Sequence, residues 1–250
     1  MDRNSIDAGH HESEPIPYGR ALEVQEALVA RRRRGAVPDV LWLLEHPATI
    51  TLGTSGGTEN LRLEERALLS RGVDVFRTRR GGNVTCHEPG QLVGYPIVDW
   101  GAERDLHDYL RRLEEALIAV LERYGLRAER VTGRTGVWVH AARRGAAPGK
   151  IAAIGVRAQG WVTSHGFALN VENSLATFDA IVPCGIADAG VTSLRRELGA
   201  ESTPVWGAVC AAVHASLERA LARPLWLLAG AEAIGAIRDA SRPRGSTSRG

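Results

Sequence analysis

The chain has 250 residues with 31 basic and 29 acidic side chains, a net charge of +2; this length suits one large α/β domain, and the interspersed signs leave no extended basic face for a nucleic acid. Cys86, Cys184 and Cys210 are an odd number of cysteines with no C-x-x-C pair, which argues against a disulfide framework and for a reducing cytoplasm. No apolar run reaches the roughly 18 residues of a membrane span, and the N-terminus is polar and acidic, so neither a membrane anchor nor an export signal is expected.

Residues 1–15 carry few apolar groups and residues 241–250 are rich in Ser, Arg, Gly and Pro, so both ends are expected as loose tails around a single domain over 16–240. Residues 21–30 have helical character, with Arg31 to Arg34 as the solvated end of that helix. The run Val40-Leu-Trp-Leu-Leu44 is continuously apolar, as a buried strand is, and 49–52 predicts a second strand. Residues 73–77 alternate like a strand and lead into the loop Arg79-Arg-Gly-Gly-Asn-Val-Thr-Cys-His-Glu-Pro-Gly90, after which 92–98 reads as another strand. The clearest helix follows, with Asp105 as its cap, Leu106, Leu110, Leu113, Leu117, Val120 and Leu121 on one face, and Gly125 beyond its end.

Strands are then predicted over 137–139, 151–157 and 161–171, with 145–149 as a flexible lead that places Lys150 at a loop-to-strand junction. A short helix over 194–198 is capped by Thr192 or Ser193. A longer one over 205–221 turns Val209, Val213, Leu217 and Leu221 inward, and a final strand falls within 224–228. There is no internal repeat and no regular βαβ alternation. The expected fold is α/β (α+β), a mixed or antiparallel central sheet with helices packed on it.

Of the basic residues, 30 are arginine and only Lys150 is lysine. Arginine fills every role that needs a permanent charge, so Lys150 suggests a site that needs an amine able to lose its proton, with a compositional bias that spared one lysine as the competing reading. Cys184 lies in Ile181-Val-Pro-Cys-Gly-Ile186, where Gly185 leaves backbone N–H groups free to face an oxyanion. A free thiol with a pKa near 8.5 is a few per cent ionised at neutral pH and needs a nearby base or cation. Lys150 can be that partner, while a small buried apolar residue is the competing reading of Cys184. Arg80-Gly-Gly82 lacks the spacing of a phosphate loop, and its glycines suit close approach of the backbone to a ligand. Local sequence leaves His87 and His165 open among base, substrate-binding and structural roles. Cys86 beside His87 lacks a second ligand pair for zinc, and Cys210 falls in the apolar pattern of a helix.

Taken in order, Glu45-His-Pro47, Thr51-Leu-Gly53, Arg80-Gly-Gly-x-x-Thr-x-His-x-Pro-Gly-Gln91, Gly136-Val-Trp-Val139, Lys150-Ile-Ala-Ala-Ile-Gly155, Ser164-His-Gly-Phe-Ala-Leu-Asn170, Pro183-Cys-Gly-Ile186 and Val191-Thr-Ser-Leu194 resemble the lipoyl(octanoyl) transferase family. The resemblance implies the α/β architecture shared with biotin and lipoate protein ligases, and a Cys184 and Lys150 dyad. It also implies ping-pong transfer of octanoyl from octanoyl acyl carrier protein to a lysine of lipoyl domains, those of 2-oxoacid dehydrogenase complexes and of the glycine cleavage H protein. No metal or cofactor is implied. The acyl-binding segments it implies are Arg80, Gly81, Gly82, Asn83, Val84, Thr85, Cys86 and His87, then Ala153, Ile154 and Gly155, then Gly166, Phe167 and Ala168.

Two positions depart from the family pattern. Glu88 stands where Gly is usual, adding a negative charge near the acyl site, and Cys86 stands where an aromatic residue is common, leaving a spare thiol. The rival readings are an ATP-dependent lipoate or biotin ligase, a transferase between two protein lysines, a cysteine hydrolase with His87 or His165 as base, and a carrier-binding protein without turnover.

Overall fold

The computed structural model describes residues 14–140, 148–182, 190–231 and 234–235. Both expected tails, apart from Glu14 and Pro15, lie outside these residues, as do Cys184 and positions 145–147 of the lead into Lys150.

In chain order the elements are α1 (Tyr18–Arg32), β1 (Val40–Leu44), β2 (Thr49–Leu52), α2 (Glu65–Ser70), β3 (Asp74–Arg77), β4 (Val84–His87), β5 (Gln91–Ile97), α3 (Leu106–Arg123), β6 (Ala128–Val131), β7 (Arg134–Val139), β8 (Gly149–Gln159), β9 (Val162–Asn170), α4 (Leu194–Leu198), α5 (Trp206–Leu221) and β10 (Trp226–Ala229). Seven strands form the main sheet in the order β10-β1-β5-β9-β8-β7-β6, and a second sheet has the order β3-β2-β4. In the main sheet β1 runs parallel to β10 and antiparallel to β5, so the sheet is mixed, as its sequence predicts.

The apolar stripe of α3 and the inward face of α5 pack on one side of the main sheet. Leu113, Leu117, Leu121, Val209, Val213 and Leu217 join Val137, Ile151 and Leu169 there in one buried cluster. Ala21, Val24 and Leu28 of α1 cover the other side against Trp42, Val93 and Tyr95. Each such apolar side chain contributes about 1.5–3 kcal/mol on burial, so the two covered faces hold the sheet rigid. Asp105 caps α3 as expected, accepting from the N–H groups of His107 (2.8 Å) and Asp108 (3.1 Å). Ser193 rather than Thr192 caps α4, accepting from the Arg196 N–H.

Five features differ from the sequence expectation. The expected loop over 79–90 contains β4, which pairs Val84 with Leu52 and Cys86 with Ile50; four residues are too few to show a strand period. The polar β6 forms because β7 offers it a partner, and α2 buries only Leu68. Lys150 lies one residue inside β8, paired with Trp138 of β7. The arginine run at the end of α1 is not merely solvated, for Arg32 donates to the buried carboxylate of Asp39 (2.6 Å), which Arg223 also pairs (3.2 Å).

Candidate active site

The β8–β9 ladder pairs Ala153 with Ala168, Ile154 with Phe167 and Gly155 with Gly166, so two of the three sequence-predicted binding stretches form one patch. Because side chains alternate along a strand, Ala153, Gly155, Gly166 and Ala168 share a face. Their small size leaves room beside the sheet. Gly155 also allows a close approach: a Cβ there would lie 2.8 Å from the Gly81 carbonyl oxygen.

The third stretch forms the facing wall. Arg80 is buried, and its guanidinium donates to Thr51 Oγ1 (2.8 Å) and to the carbonyls of Thr51 (2.6 Å) and Gly81 (3.1 Å). Residues 80–83 lie against 53–55 through Gly53 N–H to Asn83 O, Thr54 N–H to Arg80 O and Ser55 N–H to Gly82 O. The glycines of this loop thus bring backbone close to the protein's own backbone. A Cβ at Gly53 would stand 2.3 Å from Gly82 O.

Between the walls is a cavity of about 290 Å³ lined by Arg80, Gly82, Asn83, Val84, Thr85, His87, Lys150, Ala153, Ile154, Gly155, Gly166, Phe167 and Ala168, with Tyr18, Tyr95, Gln91, His165, Asn170, Phe178 and Val191 among the others. Of the predicted binding residues, Gly81 and Cys86 stand beside the cavity and not on its wall. Gly81 N–H donates to Val156 O. Cys86 packs with Ile50, Leu52 and Phe178, and its Sγ donates to the Thr177 carbonyl (3.3 Å). Burial, reinforced by nearby Glu88, pushes the Cys86 thiol well above its ordinary pKa. Burial also raises Cys210 to about 12. Neither thiol ionises at neutral pH.

Lys150 enters the cavity from β8. Its Nζ donates to the Thr135 carbonyl (3.0 Å) and sits 4.8 Å from the centre of the Trp138 ring, a cation–π contact. Glu114, almost fully buried on α3, fixes the start of β7 by accepting from the Gly136 N–H (3.0 Å), with Arg111 and Arg130 as ion-pair partners. The backbone of Lys150 is tied to 190–192: Lys150 N–H donates to Gly190 O (2.9 Å), and Thr192 N–H donates to Lys150 O (3.0 Å). On the other flank of the stretch containing Cys184, Val182 N–H donates to Asn60 O (2.9 Å) and Ile181 bridges Leu61.

A polar chain that local sequence did not reveal joins the two walls. Gln91 Nε2 donates to the Cys86 carbonyl and to Asn170 Oδ1 (2.9 Å), and Asn170 Nδ2 donates to Thr192 O (2.9 Å). Since Gln91 spends its amide hydrogens there, its Oε1 accepts from His87 Nδ1–H (2.9 Å), which leaves His87 Nε2 without a proton in the neutral ring. Burial, then the neighbouring His46, lowers the His87 pKa well below 6.5. Burial likewise lowers His46 to about 4, and burial with Arg80 lowers His165 to about 4. All three rings are neutral at pH 7. His165 takes a positive φ of 56° within β9 and donates its N–H to Gln25 Oε1 (2.8 Å). Such backbone conformations in a residue with a Cβ persist where the surroundings fix them.

The cavity thus carries the only lysine of the chain on its wall, beside the patch of small residues on the sheet. The Lipoyl protein ligase A/B catalytic domain matches residues 17–217. Octanoyltransferases from Rubrobacter xylanophilus and Chloroflexus aurantiacus are 51% and 52% identical over 187 and 186 residues, covering 74% of this chain and 81% of each relative. The fold is shared with a bi-partite lipoate protein ligase of an archaeal lipoylation system, from Thermoplasma acidophilum, at a TM-score of 0.64 and 16% identity over 91% of this chain and 89% of that one. The chain belongs to the octanoyltransferase family, acyltransferases built on the lipoyl protein ligase A/B catalytic domain. Among the described residues no helix is long and apolar enough to cross a membrane.

Proposed function

We propose that this protein transfers octanoyl from octanoyl acyl carrier protein to a lysine of a lipoyl domain through a thioester on Cys184. The observation that carries the reading is Lys150. The only lysine of the chain stands on the cavity wall and is bonded through its backbone to Gly190, where the chain returns from the stretch holding Cys184.

In the first half-reaction the Cys184 thiolate attacks the acyl carbon, the bond to the carrier sulfur breaks, and the carrier thiol leaves with the proton. In the second, the acceptor lysine amine attacks the same carbon, its bond to Cys184 sulfur breaks, and an amide forms. Lys150 stabilises the thiolate as an ammonium and takes the proton of the attacking amine as a free base, roles that arginine cannot combine. Conversion of a thioester to an amide is downhill and consumes no nucleotide. The walls formed by 80–87, 153–155 and 166–168 enclose the acyl chain, whose six methylenes at ~0.8 kcal/mol each contribute about 5 kcal/mol on burial. The acceptors are the lipoyl domains of 2-oxoacid dehydrogenase complexes and the glycine cleavage H protein, and the reaction takes place in the cytoplasm.

The test compares two donor mixtures with one lipoyl domain as acceptor. Octanoyl carrier protein alone is expected to give the octanoylated domain. Modification only by octanoate with ATP would overturn the proposal in favour of a ligase.

A further inference from the structure

Glu88 lies in the turn between β4 and β5, next to cavity-lining His87, and is 4% exposed. Both oxygens are spent on one distant segment. Oε1 accepts from Asn173 Nδ2 (3.0 Å) and the Leu175 N–H, and Oε2 accepts from the Thr177 N–H (3.0 Å) and Thr177 Oγ1 (2.6 Å). Four donors converging on one carboxylate make a strong, directional clamp. The charge expected near the acyl site is therefore consumed behind the wall.

What the clamp holds is conformationally demanding. Leu175 takes φ 67°, in the left-handed region, which a residue with a Cβ keeps only where its surroundings over-determine it. Thr177 is fixed at three atoms, since its carbonyl also accepts from Cys86 Sγ. The next residue, Phe178, lines the cavity and packs on Ile50 and Leu52.

We propose that Glu88 is a positioning residue for acyl-chain recognition: by fixing 173–177 it sets Phe178 as a wall of the cavity and so the chain length the cavity accepts. This inference rests on the cavity being the octanoyl site. A carboxylate at position 88 reaches donors that a glycine cannot, so the restraint is particular to chains carrying it.

The experiment measures kcat/KM for hexanoyl, octanoyl, decanoyl and dodecanoyl carrier proteins with wild type, Glu88→Gln, Thr177→Val, Phe178→Ala and the Glu88→Gln, Phe178→Ala pair. A methylene difference in an apolar pocket is worth roughly tenfold or more, so Glu88→Gln is expected to lower the octanoyl to dodecanoyl ratio about tenfold, chiefly through KM. Thr177→Val removes one donor of four and shifts the same ratio about threefold, which decides the matter if Glu88→Gln fails to fold. The double variant behaves as Phe178→Ala does alone. An equal loss for every chain length, an unchanged ratio in Thr177→Val, or multiplying effects in the double variant would each overturn the inference. Wild-type protein that transfers no chain would overturn the octanoyl reading and this inference with it, an outcome distinct from normal transfer with an unaltered profile.

Discussion

The two walls of the cavity are built by different physics. The strand wall, 153–155 against 166–168, is backbone ladder and small side chains between covered sheet faces. The facing wall, 80–88 with 173–178, is held by side chains reaching backbone: Arg80 to Thr51, Asn83 Oδ1 to the Val84 N–H (2.7 Å), and Glu88 to 175 and 177. One wall is set by volume and the other by buried polar bonds, which cost far more to leave half-made than they contribute when complete. Perturbations should therefore act on the first through steric fit and on the second through lost acceptors or altered protonation.

Lys150 lies on β8 just before the strand wall and bonds to Gly190, and its loss should be the largest effect. Lys150→Arg retains charge but cannot give up a proton to act as a base near neutral pH, so octanoyl transfer should fall by at least ~10²-fold, the usual contribution of a general base. Steady-state kinetics with near-normal turnover would remove Lys150 from proton transfer. On the strand side, Gly94→Ala places a Cβ 2.1 Å from Phe167 Cζ. Overpacking of this kind costs about 1–3 kcal/mol, and calorimetry should show Tm falling by about 2–4 °C for each kcal/mol.

A further effect concerns pH. His46 and His165 titrate near 4 in the folded protein against about 6.5 when unfolded. The unfolded chain thus binds more protons over this interval. Stability is full above pH ~6.5 and declines as the pH drops toward 4, by up to ~1.4 kcal/mol per pH unit for each ring. Urea midpoints at successive pH values should follow this slope.

The same division explains what was legible in the sequence. The apolar run of β1 and the stripe of α3 announce themselves because volume and periodicity are local properties, and the bounds of β1 and β2 match their expectation residue for residue. The family resemblance singles out 153–155 and 166–168, but their pairing needs the ladder. The polar wall was harder to read. The carboxylate of Glu88 meets partners 85–89 positions away, Glu45 accepts from Gly90 N–H across 45, and the Gln91–Asn170 bond spans 79; no local pattern encodes such meetings. β4 was hidden for a related reason, as its four residues gain order only from β2.

Octanoyl transfer by this route requires a thioester at Cys184, which intact mass spectrometry detects. The protein is mixed with octanoyl acyl carrier protein, without nucleotide, beside a Cys184→Ser control. One octanoyl adduct is expected, which maps to Cys184, is absent from the control, and disappears on addition of a lipoyl domain as the domain gains the group. An adduct that persists in Cys184→Ser, or transfer to the lipoyl domain by that variant at the wild-type rate, would contradict this route.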